Sequence, residues 1–213
     1  MSRVNTPLVL LLAGGTGGHV YPALAIALEM RNRGLRMAWI GTKRELEARV
    51  ASEADIPFYP LPVTGMRGKP FLQKVFSGLM LFRSFIQAIY FVWRLRPSCA
   101  IGMGGYASVP GALATWLLRR PLLIHEQNAV AGTANKFLQP FASAVVAGFP
   151  CSFRRTENVK VLGNPIREGF IESSKTNPFN YTTSRSFRLL IVGGSLGASK
   201  LNKIAVSAIN TFD

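Results

Sequence analysis

The stretch LVLLLAGGTGGHVYP, residues 8–22, decides the fold. Residues 8–13 form a short, continuous apolar run ending at Gly14, the pattern of a parallel strand buried on both faces. Helical periodicity follows over residues 21–33 and closes at Gly34, a residue type that ends helices readily. Between the two lie Gly14, Gly15, Gly17 and Gly18 around a single threonine. Glycines joining a strand directly to a helix let backbone amides approach an anion at the helix N-terminus, and Pro22 suits a first-turn position.

Working outward, the same alternation recurs. Residues 36–40 read as a strand, 44–54 as a polar-faced helix and 58–61 as a strand, with further strands at 100–103, 122–125, 144–147 and 159–162. Strands alternating with helices predict an α/β fold, a Rossmann-like parallel sheet with helices on both faces, whose ligands gather at the carboxyl ends of the strands. Residues 171–186 turn polar and are expected to be a linker after a first domain at 1–170. Residues 187–213 then offer a strand at 187–192, a glycine loop and a helix from about Ala198. That is the start of a second α/β domain, and the chain is expected to stop before that domain is complete.

Composition narrows the partners. Twenty-five Lys and Arg against 10 Asp and Glu give a net charge of +15, which calls for an anionic partner. With 48% apolar residues and cations set beside aromatic clusters, a membrane surface or a sugar nucleotide is expected and nucleic acid is not. Cys99 and Cys151 form no CxxC pair and no disulfide framework, which fits a reducing cytoplasm. Residues 8–13 are too brief an apolar run for a signal peptide. Between Lys69 and Arg96, apolar clusters including Phe76, Leu79, Phe82, Ile86, Tyr90 and Trp93 alternate with Lys74, Arg83 and Arg94, and Trp116, Arg119 and Arg120 extend the pattern. Arg83 and Gln87 interrupt the run, so an interfacial helix is expected rather than a spanning one.

Three glycine loops carry the chemistry: GGTGGHVYP at 14–22, MGGYASVPG at 103–111 and GGSLGA at 193–198. The first is no dinucleotide fingerprint, because its glycine spacing is wrong and the second strand ends Ile40-Gly41-Thr42 without an acid for a ribose. None closes with Gly-Lys-Ser/Thr, which excludes a P-loop. His19, beside a helix N-terminus that favours the neutral imidazole, is a candidate to take a proton from a sugar hydroxyl. The segment His125-Glu126-Gln127-Asn128 ends a strand with groups suited to sugar hydroxyls or a general base. It lacks the second histidine of HExxH, and no protein-bound metal or other cofactor is expected.

Together GGTGGHVYP, MGGYASVPG, HEQNAVAGTANK, GNPIR and GGSLGA closely resemble, in this order, the family of bacterial undecaprenyldiphospho-muramoylpentapeptide β-N-acetylglucosaminyltransferases. The resemblance runs from Leu8 to the end. It implies an inverting, UDP-GlcNAc-dependent hexosyltransferase of two Rossmann-like domains in the GT-B arrangement. Such an enzyme moves GlcNAc from UDP-GlcNAc to undecaprenyl-linked lipid I, forming lipid II for peptidoglycan synthesis and hence for cell wall biogenesis, shape and division. The implied location is peripheral, on the anionic cytoplasmic face of the bacterial inner membrane.

By matching motif, the resemblance puts Thr16, Gly17 and Gly18 against the donor, Asn128 near its sugar, Arg167 near its phosphates and Ser195 in the third loop. His19, Tyr106, Glu126 and Asn135 match acceptor or catalytic positions, with His19 and Glu126 the catalytic candidates and the identity of the base open. Two positions depart from the family pattern: Val109 replaces the usual glycine before Pro110, which narrows the acceptor space, and Leu196 stands where glutamine is common. The family's uracil pocket falls beyond residue 213, so inactivity of this chain alone is an expectation. The competing expectations are a non-catalytic membrane-surface module that binds the lipid acceptor and a related enzyme that glycosylates a different lipid.

Overall fold

The computed structural model describes residues 6–43, 45–63, 70–150, 153, 157–176, 190–193, 199–209 and 211. In chain order these form β1 (Leu8–Leu12), α1 (Gly17–Asn32), β2 (Arg36–Thr42), α2 (Glu45–Glu53), β3 (Phe58–Leu61), α3 (Phe71–Leu95) and β4 (Cys99–Gly102). There follow α4 (Ser108–Leu117), β5 (Leu122–Glu126), α5 (Thr133–Leu138), β6 (Ala144–Ala147), β7 (Val159–Val161), α6 (Glu168–Thr176) and α7 (Ser199–Ile209). All strand pairs are parallel, in the order β3-β2-β1-β4-β5-β6-β7. The order reverses beside β1, and its crevice lies between the carboxyl ends of β1 and β4, where the first and second glycine loops emerge.

Because strand side chains alternate, β1 feeds two cores. Leu8, Leu10 and Leu12 face α3 and α4 with Ala88, Val92, Ala112 and Ala114, while Val9 and Leu11 face α1 and α2 with Val20, Ala23, Ala27 and Val50. Leu10, Leu11, Leu12, Trp39, Ile40 and Ile124 are wholly inaccessible. At about 1.5–3 kcal/mol for each large apolar side chain buried, β1 is the centre of the folding energy. Its rigidity fixes where the first glycine loop starts.

The chain divides into two compact units, Met1–Glu168 and Gly169–Asp213. In the second, α6 runs on to Thr176, so the polar segment expected from residue 171 opens in helix. The strand expected at 187–192 is not formed in its described part, since Leu190, Ile191 and Val192 are irregular and exposed. A strand needs a neighbour for its backbone groups, and no described strand of this unit pairs with it. The third glycine loop beyond Gly193, with Ser195 and Leu196, lies outside the described residues, as do Cys151 and Lys69.

Candidate active site

The first glycine loop turns at Gly15, whose φ of +104° is a left-handed conformation that suits glycine alone. Thr16 is then the N-cap of α1 in extended conformation, and Gly17 and Gly18 form the first turn, where helix amides have no intrahelical acceptor. The result is a helix mouth at the end of a buried strand, with Gly17 buried and Gly18 exposed. Helical periodicity in the sequence begins four residues later, at Tyr21. Glycines hide a helix start from any pattern based on side chains.

His19 sits on that first turn with its Nδ1 3.1 Å from Thr16 Oγ1. Burial pushes its pKa below the ordinary 6.5, and the nearby Glu126 carboxylate partly opposes the shift. The imidazole is therefore neutral at pH 7. The second loop presses against it from β4. Gly104 and Gly105 both have positive φ, a Cβ on Gly104 would lie 3.1 Å from the His19 ring, and one on Gly105 would collide with the Gly14 carbonyl. Glycine at these two positions is what allows the first and second loops to touch.

Glu126, the last residue of β5, is 1% exposed. Its Oε1 accepts hydrogen bonds from Asn128 N at 3.0 Å and Asn128 Nδ2 at 2.9 Å, and its Oε2 from Gly132 N at 2.9 Å and Asn135 Nδ2 at 2.8 Å. Although burial alone would raise its pKa, these four donors hold it below the usual carboxylate value. Glu126 is thus an ionised strut that folds the loop from Asn128 to Gly132 around itself. Asn135 Nδ2 also reaches His125 O at 3.1 Å, fixing α5 to the end of β5.

The GNPIR segment is stitched to the same strand end. His125 Nε2 lies 3.1 Å from Gly163 O, and Asn164 Nδ2 donates to Gln127 O at 3.1 Å. These links bring Arg167 over the Tyr21 ring, 4.6 Å from its centroid, on the first turns of α1. His19, Tyr106, Glu126 and Asn135 line one cavity of about 520 Å³. Its remaining wall is largely apolar, with Leu81 from α3, Val109 from α4 and Phe137 from α5. Val109, singled out by its departure from the motif, is thus part of the wall of this cavity. Of the expected site residues, Thr16, Gly17 and Gly18 stand at the α1 mouth beside the cavity's His19, Asn128 is held on Glu126, and Arg167 is held on Tyr21.

One residue that holds the loop had no motif to mark it. Glu47, on α2, accepts the Gly15 amide at 2.6 Å and the Thr42 hydroxyl at 2.9 Å, and is wholly inaccessible. The available signal was an acid in the first turn of the helix after β2, the strand that lies next to β1 in a sheet of this topology.

Comparison with known proteins places the fold in a family. Residues 9–147 match the glycosyltransferase family 28 N-terminal domain. A UDP-N-acetylglucosamine–N-acetylmuramyl-(pentapeptide) pyrophosphoryl-undecaprenol N-acetylglucosamine transferase of Stutzerimonas stutzeri is 46% identical over 202 residues, as is its counterpart from Pseudomonas syringae pv. tomato. In each case the match covers 94% of this chain and 56% of the relative, so the chain spans just over half the length of these relatives. A crystal structure of MurG from Acinetobacter baumannii is similar with a TM-score of 0.76 at 34% identity, over 97% of this chain and 58% of that one. UDP-GlcNAc 2-epimerase from Neisseria meningitidis, at 16% identity and a TM-score of 0.53 over 74% of this chain and 46% of that one, shares the fold alone. The seven-stranded parallel sheet with its glycine loops, and the family match over most of that sheet, make this chain a member of glycosyltransferase family 28.

Proposed function

We propose that this chain carries the acceptor-side half of an inverting transferase that moves GlcNAc from UDP-GlcNAc to lipid I, giving lipid II. The observation that carries the reading is the convergence of His19, Tyr106, Glu126 and Asn135 on one cavity, with His19 on the first turn of α1. In the tautomer that donates Nδ1–H to Thr16 Oγ1, His19 has an Nε2 lone pair for the acceptor hydroxyl and takes its proton as the oxygen attacks the anomeric carbon. The bond from that carbon to the UDP oxygen breaks. The departing diphosphate gains negative charge, which the Gly17 and Gly18 amides and Arg167 are suited to stabilise. Glu126 is saturated by four donors and is a poor base. Its charge instead favours the imidazolium that forms on His19. Asn128 would meet the donor sugar, and Ser195 would contribute from the third loop.

The membrane face belongs to the same reading. On α3, Ser77, Ser84, Ala88 and Val92 are buried, whereas Phe76, Leu79, Phe82, Ile86, Tyr90 and Trp93 recur every three or four residues on the outer side, each about half to two-thirds exposed. The segment Phe76–Leu95 is long and apolar enough to cross a membrane by length and composition. Its inner face, however, is spent on the sheet, so the exposed stripe and its arginines fit the plane of an anionic inner-membrane surface. Leu81 of the same helix lines the cavity, so a lipid-linked acceptor held there would lie beside the bilayer. Replacing Phe82 and Ile86 together by aspartate is expected to weaken binding to phosphatidylglycerol vesicles by at least about a hundredfold, since each lost apolar contact is worth about 1.5–3 kcal/mol. Cosedimentation unchanged in that variant would remove α3 from the docking surface.

The deciding assay is transfer of labelled GlcNAc from UDP-GlcNAc to a lipid I analogue by the 213-residue chain, with UDP-GlcNAc binding measured alongside. Transfer is the outcome expected of a complete site. Binding of acceptor and vesicles without donor binding would instead identify a non-catalytic lipid-acceptor module, and binding of neither would refute both readings.

A further inference from the structure

The first glycine loop is clamped from the side of β2 at two points. Trp39 Nε1 donates to Ala13 O at 2.9 Å, and Glu47 Oε1 accepts the Gly15 amide at 2.6 Å and the Thr42 hydroxyl at 2.9 Å. Glu47 is 0% exposed, and its second oxygen, Oε2, is buried without a hydrogen-bond partner. A buried carboxylate is costly unless donors and dipoles compensate it. Here the compensation comes from those two donors and from the N-terminal turn of α2, where Glu47 is the third residue. Space is equally tight, since a Cβ on Gly14 would lie 2.5 Å from Glu47 Oε1. The carboxylate therefore lies directly behind the loop and touches the one amide that the left-handed Gly15 turns inward.

We propose that Glu47 is the positioning residue of this loop: by holding the Gly15 amide inward, it leaves the Gly17 and Gly18 amides as the anion-receiving pair and sets Thr16 and His19 in place. Glu47 meets no substrate itself. Its effect runs through the loop, and the part of the inference that concerns donor binding rests on the function proposed above. The acceptor atom matters more than the charge, because a glutamine can keep Oε1 on both donors and put its NH2 where Oε2 has no partner. Aspartate keeps the charge but falls one methylene short.

The test compares Glu47→Ala, Glu47→Asp and Glu47→Gln in the 213-residue chain by amide hydrogen exchange, NMR titration of the His19 ring, thermal unfolding and titration with UDP. In the wild type the Gly15 amide is expected to be protected. Alanine and aspartate should raise its exchange relative to β1 by about tenfold or more, the loss of one hydrogen bond, and shift the His19 titration. UDP binding should weaken by a similar factor, and glutamine should restore all three. A fall in melting temperature with Gly15 exchange and His19 titration unchanged would reduce Glu47 to a packing residue and overturn the proposal, as would failure of glutamine to rescue. Should the alanine variant not fold, the aspartate and glutamine pair still decides. Gly15 exchange and the His19 titration decide the role of Glu47 whether or not this chain binds UDP.

Discussion

Glu126→Ala is expected to cost about 3–5 kcal/mol of folding stability, lowering the melting temperature by roughly 10 °C, and to abolish ligand binding in the cavity. Four donors end on this carboxylate, and alanine would leave the Gly132 amide and one Asn135 amide hydrogen without their acceptor in a water-poor site. Asn135 would keep only its bond to His125 O, and the loop carrying Asn128 would lose the centre around which it folds. Glu126→Gln is nearly isosteric, yet its NH2 group would face donors at one of the two oxygens, so it too should be markedly destabilised. This separates two roles that the sequence leaves open. A proton-transferring Glu126 would give a glutamine variant of native stability without turnover, whereas a structural strut gives an unstable one. Thermal unfolding of the alanine and glutamine variants reads the difference, and native melting temperatures in both would refute the strut.

The fold was legible because a doubly covered parallel sheet writes its strands as apolar runs. Strands at 58–61 and 144–147 fall where the sequence puts them, and the other five agree to within two residues at either end. Helix starts were less legible. The glycines at 17 and 18 carry no side-chain periodicity, α5 is a short helix of six residues, and α6 begins before the expected linker and runs into it. At residues 190–192 an apolar run suggested a strand, but hydrophobicity alone makes no ladder without a partner.

Candidate site residues stand out in the sequence where the motif is local. The first and second glycine loops and HEQN announce themselves by residue type, and the sheet order then sets the ends of β1, β4 and β5 side by side. What composition cannot state is which polar group spends itself on structure. Glu126 read as a candidate base, and only its four donors reveal an occupied carboxylate. Likewise His125 belongs to a segment suited in sequence to sugar hydroxyls or a general base, but its ring bonds Gly163 O and Gln127, and the Gly163 bond spans 38 residues to join two motifs. Glu47 carried only a weak signal, because its partner Gly15 lies 32 residues away in sequence.

Acid should destabilise the chain in two stages, beginning near pH 6.5. His125 is 4% exposed, and its neutral form satisfies both ring nitrogens: Nε2–H donates to Gly163 O, while Nδ1 accepts from Gln127 Nε2 at 3.2 Å. Protonation would set a second N–H against the Gln127 amide. Burial accordingly lowers the pKa of both His125 and His19 from the ordinary 6.5. A depressed folded-state pKa means that the unfolded chain binds protons first, so stability is full above pH 6.5 and falls as the pH drops below it. Each histidine contributes a slope of up to about 1.4 kcal/mol per pH unit until its folded pKa is reached. Glu126 acts with the same sign in a lower window: its pKa lies below the ordinary 4.5, so the unfolded carboxylate again takes the proton first and stability is lost further below that pH. Denaturant unfolding at pH 8, 6.5, 5.5 and 4.5 should give a plateau and then a decline, and His125→Gln should lose part of the slope below pH 6.5 because one of the two titrating rings is gone. Stability that is constant or rising from pH 7.5 to 5.5 would show that neither ring is held neutral, and would take with it the neutral imidazole on which proton abstraction by His19 depends.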